Sequence, residues 1–212
     1  MRFDGFGESA VDFYEGLEAD NSKAYWSDHK IVYDDHIRTP MLALLAELEP
    51  EFGTGKIFRP HRDVRFSKDK SPYKTHCGAV IETAGAAYYV QLGADGLLIA
   101  GGAYRWAPDQ LARYRAAVDD QRSGADLQRL LRVIAGMQRA GATLRTRPRG
   151  YPADHPRMDL LRHRSLYLWR SWPPDESIHE RACLGRVREG WEATVPLAGW
   201  LADHVGSATI GY

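Results

Sequence analysis

Apolar side chains recur at helical spacing through the first fifty residues. Ser9-Ala10-Val11-Asp12 has the Ser-x-x-Asp form of a helix start, and Phe13, Tyr14 and Leu17 then share one face. Asp20-Asn21-Ser22 breaks that helix. The pattern predicts a second helix from about Ser27 to Arg38. It predicts a third opened by Thr39-Pro40, with Met41, Leu44, Leu45 and Leu48 as its apolar stripe and Pro50 and Gly53 at its end. From about residue 57 to 106 the period changes to two. Four strand-like runs follow: Ile57–Phe66, Thr75–Thr83, Ala87–Leu92 and Leu97–Tyr104, separated by Lys70-Ser71-Pro72, Ala84-Gly85 and Ala94-Asp95-Gly96. Asp-Gly between two such runs is a hairpin signal. Helical spacing returns after Pro108 with Leu111, Tyr114 and Val118. A further helix is expected from Ser123 through Leu127, Leu130, Leu131, Ile134 and Met137 to Gly141. Residues 142–174 read as irregular, and a last helical region begins near Asp175, interrupted at Pro196. The expectation is an α+β fold in a single domain over residues 1–212. Its antiparallel sheet would have about four strands (57–106), flanked by helices from both termini.

Composition narrows the class without naming a function. The 212 residues carry 28 basic and 28 acidic side chains, so net charge gives no prior for nucleic acid or membrane. The balance hides a segregation. Residues 1–53 hold 4 basic side chains against 12 acidic ones, whereas residues 59–74 hold 6 basic against 2 acidic. Two cysteines, Cys77 and Cys183, cannot build a disulfide scaffold. With no signal-peptide-like start and no long apolar run, the expectation is a cytoplasmic chain that does not engage a membrane.

The most informative stretch runs from Arg59 to His76. In a strand, alternate residues share a face. Arg59, His61, Asp63, Arg65 and Ser67 would then line one side, with Pro60, Arg62, Val64 and Phe66 on the other, core-facing side. The turn that follows adds Lys68, Lys70, Tyr73 and Lys74. Guanidinium forks and lysine point charges in one row suit a phosphate or carboxylate. A solvated strand face of weak surface ion pairs, or a buried Arg62–Asp63 pair, would give the same pattern.

This stretch resembles a known family. Arg-x-x-Arg-Asp-x-Arg-Phe-x-x-Asp-Lys-x-x-Tyr-Lys-x-His stands here as Arg59, Arg62, Asp63, Arg65, Phe66, Asp69, Lys70, Tyr73, Lys74 and His76. It is similar to the signature of a bacterial and fungal family catalogued as domain of unknown function 2461. Phe3-x-Gly5-Phe6, His29-Lys30 with Tyr33, Pro40-Met41, Gly96, Gly101-Gly102 and the 148–162 segment carry the resemblance further along the chain. His61 and Arg164 depart from the family's usual residues. The resemblance implies one domain of this length and no reaction.

The remaining constellations add less. Gly150-Tyr151-Pro152-Ala153-Asp154-His155-Pro156 is a stiff loop that could present His155 as a general base, or could only route the chain. His61-x-Asp63 with His155 has the ligand types of an iron centre, but flanking arginines oppose a divalent ion, so no metal and no cofactor are expected. Gly53-Thr54-Gly55-Lys56 lacks the outer glycine and Ser/Thr of a phosphate-binding loop. Trp169 and Trp172 flank Arg170 and read as packing rather than base stacking.

The expectation is a small anionic ligand held in a basic pocket between the 59–67 strand and the 148–164 loop. Arg59, Arg65 and Lys70 would hold the anion, Tyr73 would shape the pocket, and His155 would move a proton if chemistry occurs. Arg62, Asp63, Asp69, Lys74 and His76 complete the candidate binding set. A nucleic-acid module, disfavoured by the neutral net charge, and a protein-interaction module are the alternatives. Whether the chain is an enzyme, and its oligomeric state, are left open.

Overall fold

The computed structural model describes residues 2–65 and 68–209. Helix α1 (Ala10–Ala19) starts after Ser9, which makes no side-chain cap bond. Ser22 does cap α2 (Lys23–Asp28), its hydroxyl accepting from the Tyr25 N–H at 3.1 Å. The second helix predicted from about Ser27 to Arg38 is a composite. After α2 come a single turn, α3 (Lys30–Val32), a π-helical turn (Tyr33–Arg38) and then α4 (Thr39–Phe52). Helix α4 runs through Pro50 to Gly53, whose φ of 99° lies where side chains are disfavoured.

The strands are β1 (Lys56–Ile57), β2 (His76–Glu82), β3 (Ala87–Gly93), β4 (Gly96–Ala103), β5 (Gln138–Ala140) and β6 (Leu166–Trp172). They form one antiparallel sheet in the order β1-β2-β3-β4-β6-β5. The fold is α+β as expected, with six strands rather than about four. Two of them lie beyond residue 106. Leu166 and Leu168 of β6 are buried and alternate with less buried neighbours, the period-two pattern of a half-covered strand. The remaining helices are α5 (Pro108–Asp119), α6 (Gln121–Val133), α7 (Met158–Leu161) and α8 (Ala182–His204). Asp120 rather than Ser123 caps α6, accepting from the N–H groups of Arg122 and Ser123. Pro196 lies inside α8 and does not interrupt it.

The expected strand from Ile57 to Phe66 is reduced to Lys56–Ile57 for an identifiable reason. Ile57 pairs with Ala79, but His61 bridges Tyr73. Four steps on one side therefore answer six on the other, and the surplus bulges opposite Arg59. Pro60 sits in the break, where it has no N–H to lose, and its carbonyl accepts from Lys74 N–H at 2.8 Å. Phe66 and Ser67, expected on opposite faces of this strand, lie outside the described residues.

The chain divides into two compact units. The first comprises Met1–Ile81, Tyr89–Ile99 and Ser171–Glu189; the second comprises Glu82–Tyr88, Ala100–Arg170 and Gly190–Tyr212. In the first, α1, the π-helical turn and α4 bury Phe13, Tyr14, Leu17, Ile37, Leu44 and Leu48, and β2 buries Cys77, Ala79 and Ile81. Its N-terminal segment is held by an ion pair. Glu47 accepts from the Phe3 N–H at 2.6 Å, and Arg181 donates to the Phe3 carbonyl at 2.7 Å while pairing with Glu47.

Arg181, and then the Phe3 N–H, lower the Glu47 carboxyl from the ordinary 4.5 to about 2. Between those values the unfolded chain binds the extra proton. The stabilisation is therefore complete above 4.5 and lost as pH falls toward about 2. Glu47→Gln is expected to lower the urea midpoint at neutral pH and to differ less from wild type at about pH 3. A difference that stays constant across that window would show that Glu47 is not the linked group.

Candidate functional site

Asn21, in the link between α1 and α2, uses its side-chain amide as a short piece of strand. Its Nδ2 donates to the Tyr73 carbonyl at 3.1 Å, and its Oδ1 accepts from the Tyr73 N–H at 3.0 Å. The Tyr73 ring then stacks on Trp26 with centroids 4.3 Å apart and planes at 8°. His61 lies 5.0 Å from Tyr73. This clamp fixes both ends of the 61–73 loop against the helices.

Beside the clamp is a cleft of about 380 Å³. The segment 57–61 forms one wall and Trp26, Lys30, Tyr33, Asp34 and Arg38 form the other. The π-helical turn explains the second wall. Its i→i+5 hydrogen bonding widens the turn, so residues five apart, Tyr33 and Arg38, come onto the same side. Lys30 is paired with Asp34, one helical turn on. Neither Arg38 nor Arg59 has an ion-pair partner among the described residues. Tyr33 is buried and reaches the Cys77 thiol; burial raises both groups, the thiol to about 12. Cys77 is therefore a protonated, packed thiol at neutral pH rather than a nucleophile.

The other expected site residues divide into three groups. Arg59 lines the cleft, beside His61, which was expected on the same strand face but not in the binding set. Lys74 and His76 lie close to the first arginines of the stretch. Burial, and then the charge of Arg59, lowers the Lys74 ammonium, while burial and then Lys74 and Arg62 lower the His76 imidazole. The Lys74 ammonium sits 5.1 Å over the Phe58 ring. The third group is tied up inside the loop. Arg62 pairs with Asp69, which also accepts from Ser71 N–H and hydroxyl. Asp63 receives a two-pronged contact from Arg65 at 2.6 and 2.9 Å, which holds its carboxyl below the usual range. Lys70 donates to the Val64 carbonyl at 2.9 Å. Asp63 and Arg65 are exposed, so this is a surface ion pair of small net effect rather than a buried Arg62–Asp63 tie.

A family described as a conserved hypothetical protein, domain of unknown function 2461, has a sequence model that matches residues 9–200. The chain belongs to this family. No curated protein matches it. The match covers the clamp, the cleft and the Arg59–His76 stretch alike. It brings no reaction, substrate or ligand with it.

Lys30, Arg38 and Trp26 were not among the expected site residues. His29-Lys30 with Tyr33 carried part of the resemblance, so the helical wall was marked in the sequence without being recognised as a wall. The 148–164 loop belongs to the second unit, where its His155, Arg157 and Arg162 side chains are engaged. His155 Nε2 is 3.1 Å from Asp119, and its Nδ1 accepts from Arg157 N–H at 3.0 Å. Both ring nitrogens thus have partners. Arg157 is buried and donates to the carbonyls of Val118, Asp119 and Asp120, closing the C-terminus of α5. Among the described residues no cluster of three or more His, Cys, Asp or Glu is arranged to hold a metal ion, and no helix is long and apolar enough to cross a membrane.

Proposed function

We propose that the cleft between the 57–61 segment and the Trp26–Arg38 wall binds a small anionic ligand bearing a phosphate or carboxylate. The observation that carries this reading is the pair Arg38 and Arg59. Both line the cleft, and neither has a carboxylate partner among the described residues. A guanidinium left unpaired beside a concave surface is a natural seat for an oxyanion. The π-helical turn adds support, because such turns are rare and recur at functional sites. Arg65 and Lys70 already have partners in the loop, so of the expected anion contacts Arg59 remains and Arg38 joins it. A cytoplasmic setting goes with this reading, since Cys77 and Cys183 are both free and buried.

The test is thermal shift of the full chain with inorganic phosphate and a panel of phosphorylated and carboxylated metabolites. Wild type should be stabilised, and Arg59→Ala and Arg38→Ala should each weaken binding about tenfold or more, the value of one charge-assisted hydrogen bond. If no anion raises the wild-type melting temperature, or if both variants respond like wild type, the reading is wrong. Binding to nucleic acid that falls steeply with salt would favour the nucleic-acid alternative instead.

A further inference from the structure

We infer that the ligand of this cleft is a phosphate monoester joined to a flat apolar body, rather than a free oxyanion or a phosphodiester; the inference rests on the anion reading. Two features of the lining lead there. The first is the kind of cation. Lys30 is paired with Asp34, which leaves the guanidiniums of Arg38 and Arg59 as the cations of the cleft without an ion-pair partner among the described residues. Each planar fork can engage two oxygens at once. A monoester presents three free oxygens to that pair, whereas a diester or a carboxylate presents two.

The second feature is the apolar half of the lining. Ile57, Phe58 and Pro60 stand beside the arginines, over the buried Tyr33. Phe58 is 39% exposed although it is a large apolar side chain. An inorganic ion would fill the charged part and leave these groups wet. A ring attached to the phosphate would cover them, and water leaving the Phe58 surface would favour binding. At about 380 Å³ the cleft lies near the small end of ligand pockets, room for one ring and one charged head rather than a long chain.

Calorimetric titration of the full chain with inorganic phosphate, phenyl phosphate and methyl phenyl phosphate tests this. Phenyl phosphate is expected to bind about tenfold more tightly than either of the others. Phe58→Ala should collapse the preference of phenyl phosphate over inorganic phosphate toward one, while Phe58→Tyr, which keeps a flat ring, should retain it. Circular dichroism of both variants confirms that they fold. If phosphate binds through Arg59 but phenyl phosphate binds no tighter, or if the diester equals the monoester, the inference falls and the anion reading stands. If neither phosphate nor phenyl phosphate binds, the inference falls, and the anion reading falls with it when no carboxylate of the thermal-shift panel binds either.

Discussion

Replacing Trp26 with alanine is expected to lower the unfolding free energy by about 3–5 kcal/mol, the usual cost of emptying a large buried aromatic site. Only 7% of Trp26 is exposed, and its ring meets four others among the described residues. It stacks on Tyr73 at 4.3 Å, lies 4.8 Å from Tyr33 and 5.7 Å from Phe13, and has His61 at 6.4 Å. Each close ring pair adds about 0.5–1.5 kcal/mol beyond area burial. The effect also reaches the site. Without the indole, Tyr73 keeps the Asn21 amide and the His61 bridge but loses the ring it stacks on, and the wall carrying Arg59 and His61 loses its brace. The variant should therefore show a lower urea midpoint by far-ultraviolet circular dichroism, and any phosphate-induced thermal shift should shrink with it. Trp26→Phe should fall between. A loss below about 1 kcal/mol would show that the ring is not the brace.

Gly5→Ala should be nearly as damaging, through two separate costs. The φ of Gly5 is 123°, where an L side chain is strained, and an added Cβ would stand 2.2 Å from the backbone of His179. The neighbour is main chain, so it cannot swing aside. Strain and overpacking together should cost about 2–6 kcal/mol. Gly150→Ala separates the terms, because Gly150 has a φ of 90° but nothing within 4 Å of an added Cβ. It should show the strain alone. Equal denaturation midpoints for the two variants would mean that the His179 contact is not tight.

Much of the fold was legible where one local signal acts alone. The hairpin between β3 and β4 turns at Ala94-Asp95, and Gly96, the first residue of β4, takes the positive φ of 94° that favours glycine. The stripe Met41, Leu44, Leu45 and Leu48 is buried as its spacing predicts. Reading failed where partners distant in sequence decide the outcome. Ile57–Phe66 has the alternation of a strand, but the register to residues 73–79 breaks at Pro60, and only the pairing partner reveals that. β6 alternates too, yet its arginine and tryptophans hid the pattern.

The candidate site shows the same division. The cationic stretch was visible as composition, and Arg59 and His61 do line a cleft. The partners that engage Arg62, Arg65 and Lys70 were all in the sequence, but which carboxylate or carbonyl each would meet depends on how the 62–72 loop folds. The opposite wall was harder to read. Helical periodicity assumes 3.6 residues per turn, and the cleft depends on one turn that departs from it.

That departure amounts to one surplus residue in a helix. A chain that gains a residue within a helix need not shift everything downstream by about 100°; a single widened turn can absorb the extra length locally. Here the absorption occurs between Tyr33 and Arg38, while α4 beyond it keeps its own buried stripe. The wall of a cleft can thus be added to, or erased from, an otherwise unchanged scaffold by the insertion or loss of one codon.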